Sequence, residues 1–167
     1  MLTVIAAACL VSCAVISKPV RTEAISPVSF KTLLLTADKH IGATVILGGY
    51  ILQTKNSFEA STIVILQSPL GFGQEPTTKD HTEGRFIVVH KGFLDPEVYR
   101  KERKITLAGV VVGSVIKKID GFPQPHLKIW SREIFLWPET PHSPHLQYVD
   151  PWYCPDIDCW HWYRHYP

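Results

Sequence analysis

Thr44-Val45-Ile46-Leu47-Gly48-Gly49-Tyr50-Ile51-Leu52-Gln53 is the stretch on which the reading of the fold turns. β-Branched and aromatic side chains fill it, and these pack best on a pleated, half-buried surface. A glycine pair inside a strand marks a bulge or sharp bend, as small curved barrels need. Beyond it, Asn56-Ser57 is a turn signal and Ser61-Thr62-Ile63-Val64-Ile65-Leu66-Gln67 reads as a second strand. Ser68-Pro69 through Glu83 is a polar connection, and Gly84-Arg85-Phe86-Ile87-Val88-Val89-His90 is a third strand. Lys104 to Ile116 is a fourth, broken by Gly109 and Gly113, where curvature costs little. After a turn at Gly121-Phe122-Pro123, His126 to Trp137 is the fifth, alternating at Leu127, Lys128 and Ile129 and apolar throughout at Ile134-Phe135-Leu136-Trp137.

Two short helical segments flank these strands. Ser29 is placed to cap a helix through Leu35, with Phe30, Leu33 and Leu34 on one side. Asp95 followed by Pro96 predicts one or two helical turns through Arg100, because proline fits the first helical position. Three strands, a short helix and two more strands is the order of an all-β, OB-like Greek-key barrel of about five strands. A small open sandwich is the alternative.

The ends differ from the centre. The first twelve residues, Met1 to Ser12, are uncharged and Ala-rich, the pattern of a cleavable secretion signal. The apolar run from Val4 to Ile16 is shorter than the ~20 residues of a membrane-spanning helix. No Lys or Arg precedes the apolar core, so the expectation is a true start further upstream or a defective signal. Leu10-Val11-Ser12-Cys13 fits a bacterial lipobox, in which the cysteine carries lipid and becomes the mature N-terminus. The covalent diacylglyceryl and acyl chains on Cys13 are then the bound group, with no other cofactor, and membrane lipid is the partner. Residues 13–28 read as a tether without helical or strand period. Past Pro138 the tail to Pro167 mixes proline with Trp, Tyr and His, which forbids regular structure. The barrel domain therefore spans residues 29–137.

Composition excludes some classes of function. The chain has 167 residues, 46% hydrophobic, and a formal net charge of +2. That balance shows no basic stripe, so no nucleic-acid partner is expected. No Gly-x-Ser-x-Gly elbow, phosphate loop or His-Glu-x-x-His motif is present, so catalytic residues are none and the chain reads as a non-enzyme. Asp80, His81 and Glu83 read as a solvated loop, His40 and His126 as surface residues, and Arg85 as half of an ion pair with Glu97 or Asp95. Cys154 and Cys159 are placed to form a disulfide in an extracytoplasmic compartment. His142, His145, His161 and His165 beside them leave Zn²⁺ or Cu ligation open, but the spacing lacks a close zinc knuckle, so no metal ligand is assigned. The tail aromatics suit either a membrane interface or packing on the domain.

The domain resembles the Slp family of outer-membrane lipoproteins. The residues carrying the resemblance are Ser29-Phe30, Ile41-Gly42, Leu47-Gly48-Gly49-Tyr50-Ile51, Ser68-Pro69-Leu70 and Gly84-Arg85-Phe86. Gly92-Phe93-Leu94-Asp95-Pro96 with Tyr99-Arg100, Ile105-Thr106-Leu107-Ala108-Gly109 and Leu136-Trp137 complete the set. The resemblance implies a non-catalytic envelope lipoprotein of Gram-negative bacteria, structural or engaged with an envelope protein partner. Ala14 after the anchor cysteine is compatible with outer-membrane sorting; outer-membrane lipid through Cys13 is then the expected partner, with the domain expected at the periplasmic face. The other reading is a membrane-tethered module that binds a small envelope ligand or a transition metal.

Overall fold

The computed structural model describes residues 14–25 and 28–139. Five strands carry the fold: β1 (Thr44–Asn56), β2 (Ala60–Gln67), β3 (Arg85–Lys91), β4 (Lys104–Ile119) and β5 (Phe122–Leu136). They close into a barrel in the order β1-β2-β3-β5-β4, with β4 returning to β1. All pairings are antiparallel except β3 with β5. Closure abolishes open edges within the barrel, and this strand order is that of an OB-like Greek key. The all-β reading holds, and the open sandwich is excluded by the β1–β4 ladder.

β1 explains the closure. Its first half, Thr44 to Tyr50, pairs with β4, and its second half, from Gly49 to Asn56, pairs with β2. Gly49 and Tyr50 belong to both ladders, at the corner where one strand passes between two neighbours. A Cβ on Gly49 would overlap the Leu66 carbonyl oxygen, and one on Gly48 would overlap the Leu70 side chain. The glycine pair is thus needed for close approach; the bulge expected there falls later, at Leu52, between the Ile51 and Gln53 pairings. β4 and β5 also shift register, between Ala108 and Gly109 and between Val111 and Gly113, and such irregularities bend long strands into a barrel.

Alternate residues point inward. On β2 the buried positions are Ser61, Ile63, Ile65 and Gln67. Phe86, Val88, Ile105, Leu107, Leu127 and Ile129 meet them in one core. Two short helices, α1 (Lys18–Glu23) and α2 (Phe30–Leu35), precede the barrel. α2 is capped as expected, the Ser29 hydroxyl accepting from the Thr32 amide at 3.2 Å. Its Phe30 and Leu33 close one barrel end, with the Phe30 ring 5.8 Å from that of Phe86. Leu94 and Tyr99 close the other end. Asp95 there makes a single hydrogen-bonded turn rather than a helix, its carbonyl accepting from the Val98 and Tyr99 amides at 3.1 and 2.8 Å.

Two expectations need correction. The stretch read as an irregular tether contains α1, because Ile16 and Val20 find an apolar partner in Ala108 and fold onto the barrel wall. The last turn is Asp120-Gly121, not Gly121-Phe122-Pro123. Asp120 and Gly121 have φ of 48° and 87°, and Ile119 pairs with Phe122, a two-residue hairpin whose twist suits the strands. Pro123 and Pro125 then lie within β5, opposite Lys118 and Ile116. As alternate residues they withhold their missing donors on one side of the strand, which is open before β3 begins to pair at His126.

Candidate functional site

Cys13, expected to carry lipid, the expected signal segment with Cys9, and the tail with Cys154, Cys159 and its four histidines lie outside the described residues. Among the described residues no group of three or more His, Cys, Asp or Glu side chains could hold a metal ion. No described helix is long and apolar enough to cross a membrane.

What is described is the chain that leads away from Cys13. Ile16 is 1% exposed and Val20 6%, and both pack on the outer face of the barrel against Ala108 and Ile46. Polar groups fix the same segment. The Ile16 amide donates to Gln74 Oε1 at 3.1 Å, and the Ser17 amide donates to Glu133 Oε2 at 2.9 Å. Gln74 sits on a short 3-10 turn (Phe72–Gln74) of the long β2–β3 connection, and its carbonyl accepts from Thr106 Oγ1 at 2.7 Å. The Trp137 indole donates to that same Thr106 oxygen at 2.9 Å. Further along, Glu23 pairs with Arg132, and the Ile25 amide donates to the Thr44 carbonyl at 2.9 Å. The hydrogen bond and charge of Arg132 hold the Glu23 carboxyl below its ordinary range. The flank is therefore docked, not slack, from the third residue after Cys13.

A second site lies where the β4–β5 hairpin leaves the barrel. β4 pairs with β1 only as far as Val110, and β5 pairs with β3 only from His126, so the hairpin beyond is a two-stranded ribbon. Between this ribbon, α2 and the end of the β2–β3 connection lies a cleft of about 530 Å³. Leu34, Leu66, Ile119 and Phe122 give it apolar walls, and Glu83, Arg85, Asp120, Gln124 and His126 give it a polar side. His126 is 2% exposed, so the surface position expected for it is wrong. Its Nδ1 lies 3.0 Å from the Gln124 carbonyl oxygen, to which it donates. Burial lowers the His126 pKa, the Gln124 hydrogen bond partly offsets this, and the charges of Arg85 and Lys117 lower it further. Arg85 does not pair with Asp95 or Glu97: it opens β3 at the hairpin end, while those two follow Leu94 at the opposite end. Among the described residues its guanidinium has no hydrogen-bond or ion-pair partner. Asp80 and His81 are exposed as expected of a loop, whereas Glu83 Oε2 accepts from the Lys31 amide at 2.8 Å.

Sequence reasoning missed Gln74 and Glu133, which hold the N-terminal flank, because neither belongs to a motif. It missed the cleft because Arg85 and His126 meet only through the parallel β3–β5 pairing, Arg85 opposite His126. The single parallel ladder of the barrel is not visible in any local pattern.

Closed five-stranded topology, a docked flank and a ribbon at one mouth define a small OB-like barrel protein carrying its N-terminal segment on the outer wall. The chain belongs to the outer membrane lipoprotein Slp family, whose model matches residues 10–167. It is accordingly an outer-membrane lipoprotein. A curated relative, an uncharacterized protein of Haemophilus influenzae (strain ATCC 51907 / DSM 11121 / KW20 / Rd), is 32% identical over 95 residues, 56% of this chain and 51% of that protein. The match thus takes in about half the length of that relative. Among solved structures, the mitochondrial single-stranded DNA binding protein Rim1 from S. cerevisiae is similar at 14% identity and TM-score 0.35, over 57% of this chain and 94% of that one. The OBody AM3L09 bound to hen egg-white lysozyme is similar at 11% identity and TM-score 0.40, over 61% and 88%.

Proposed function

We propose that Cys13 carries the lipid, that the barrel is held by it at the periplasmic face of the outer membrane, and that it serves there as a structural or interaction module. The observation that carries the reading is the family match, which begins at residue 10 and so includes Leu10-Val11-Ser12-Cys13. The docked flank supports it. An anchor at Cys13 reaches a clamped residue by Ile16, so the barrel wall bearing Ala108, Gln74 and Glu133 stays close to whatever holds the cysteine. Each buried methylene of an acyl chain contributes ~0.8 kcal/mol, and two or more chains give stable attachment. One lipidated cysteine is enough.

The test is metabolic labelling of the full chain with palmitate. Label is expected in the native protein and absent in Cys13→Ser, which moves wholly to the soluble fraction. An unlabelled native chain whose mass shows Met1 retained and the thiol bare would remove the anchor. Protection from protease added to intact cells, lost when the outer membrane is permeabilised, checks the periplasmic face.

A further inference from the structure

We infer that the cleft at the hairpin end binds a single-chain amphiphilic anion, its carboxylate or phosphate headgroup at Arg85 and its alkyl chain against Leu34, Leu66 and Phe122. The proposal goes beyond anchoring and does not depend on it, because the cleft is lined by residues from Leu34 onward and by none of the docked flank.

The apolar half of the argument is the ribbon. Phe122 is 71% exposed on a two-stranded extension that has left the barrel's ladders. Alternation from the Ile119–Phe122 pair places Lys117, Ile119, Phe122, Gln124 and His126 on one face, and all of these except Lys117 line the cleft. The volume, about 530 Å³, falls within the ~300–1,000 Å³ of small-ligand sites, which are apolar clefts with a few convergent polar groups.

The polar half is Arg85. A guanidinium stays charged at any physiological pH and presents a fork that matches carboxylate and phosphate oxygens. Here it is half-buried at the cleft and unpaired among the described residues. His126 is held towards its neutral form by burial, so Arg85 carries the positive charge inside, with Lys117 on the same ribbon face. Two carboxylates, Glu83 and Asp120, line the same cleft, and among the described residues neither forms an ion pair with Arg85. Both are exposed and so screened by water, Glu83 Oε2 also accepting from the Lys31 amide, whereas Arg85 is half-buried. A cation beside apolar walls is complementary to a headgroup that is negative and a chain that is not.

The full chain carrying Cys13→Ser is suited to the test, since it lacks its own acyl groups and keeps the cleft. Calorimetric titration with palmitate, lysophosphatidate and palmityl alcohol, each below its micelle concentration, separates the sources. One molecule of palmitate or lysophosphatidate per chain is expected, and the tighter of the two identifies carboxylate or phosphate as the headgroup. The alcohol is expected to bind at least about tenfold more weakly, and Arg85→Gln to bring the anion down to the alcohol's level, as the loss of one charge-assisted contact implies. Phe122→Ala, at a site too exposed to upset folding, weakens all three several-fold, while Lys101→Gln at the opposite end changes nothing. Equal affinity for alcohol and anion, an Arg85→Gln variant that binds as the parent does, or no binding of any probe would overturn the site. So would a ribbon-mediated dimer, dissociated by Phe122→Ala, that binds no amphiphile.

Discussion

The outer wall of β1, β4 and β5 and the ribbon that continues from β4 and β5 share two strands, yet they are finished differently. On the wall, Ala108 is covered by Ile16 and Val20, and Thr106, Gln74 and Glu133 are all used in hydrogen bonds. On the ribbon, Ile116 and Phe122 are exposed, and among the described residues Arg85 at its base has no ion-pair partner. Burial and hydrogen-bond satisfaction stabilise the first region. The second retains apolar surface and a charge that the fold itself does not use, which is the character of a binding surface. The wall is covered by the docked flank, and the ribbon is left open among the described residues.

The largest effect that would break this contrast is on the wall. Ile16→Ala removes a fully buried side chain, and such truncations cost about 2–5 kcal/mol. The flank can undock without unfolding the barrel, so the loss is expected first as local opening. Hydrogen exchange at the Ile25 amide, bonded to the Thr44 carbonyl, should accelerate by roughly 30-fold or more, the equivalent of about 2 kcal/mol. Barrel amides such as those of β2 should stay protected. Ile116→Ser on the ribbon, removing a side chain of similar size, is expected to change stability by less than ~0.5 kcal/mol. Equal losses at both sites would mean that the ribbon is covered and the contrast is false.

A smaller effect sharpens the other side of the comparison. His126 is buried at the base of the ribbon with Arg85 and Lys117 as its charged neighbours, and its pKa is lowered. In the unfolded chain an imidazole titrates near 6.5. Above that pH neither state binds the proton, and stability is unaffected. As pH falls through the unfolded value, the unfolded chain takes up a proton that the native state resists, so stability falls until the lower native value is passed. Urea midpoints at pH 7.5 and 5.5 should therefore differ more in the parent than in His126→Gln. An identical pH dependence in both would show that His126 is not held neutral.

The strands, the α2 cap and the barrel order were legible because each rests on local chemistry: β-branched runs, Ser29 before Phe30, and glycines at a corner. The purpose of Gly48-Gly49 was only half legible, since the clash that excludes a Cβ comes from Leu66 and Leu70 on distant segments. α1 was missed because six residues of mixed polarity have no period of their own; their helix exists through Val20 meeting Ala108. Arg85 was assigned to Asp95 and Glu97 by charge alone, and topology places those at opposite ends of the barrel. Phe122 looked like a turn residue because Pro123 follows it, whereas the hairpin turn needs only Asp120 and Gly121 with positive φ. In each case the missing information was a long-range contact, not a residue type.

The smallest effect concerns the ion pair that fastens the far end of the docked flank. Glu23 and Arg132 face solvent, and their mutual hydrogen bond and charge lower the one pKa and raise the other. A depressed carboxyl pKa adds stability above the ordinary Glu range, lost as pH falls through the native value. Glu23→Gln should therefore loosen the flank slightly at pH 7 and have no effect once the parent carboxylate is itself protonated. Solvent screening gives a second control: at about 1 M salt the Debye length shrinks to ~3 Å, and parent and variant should converge. Exchange at the Ile25 amide reads this directly. If the difference survived high salt, the pair would be acting through packing of the Arg132 stem, which also reaches Thr44 Oγ1 at 3.3 Å, and the wall would owe its closure to contact instead of charge.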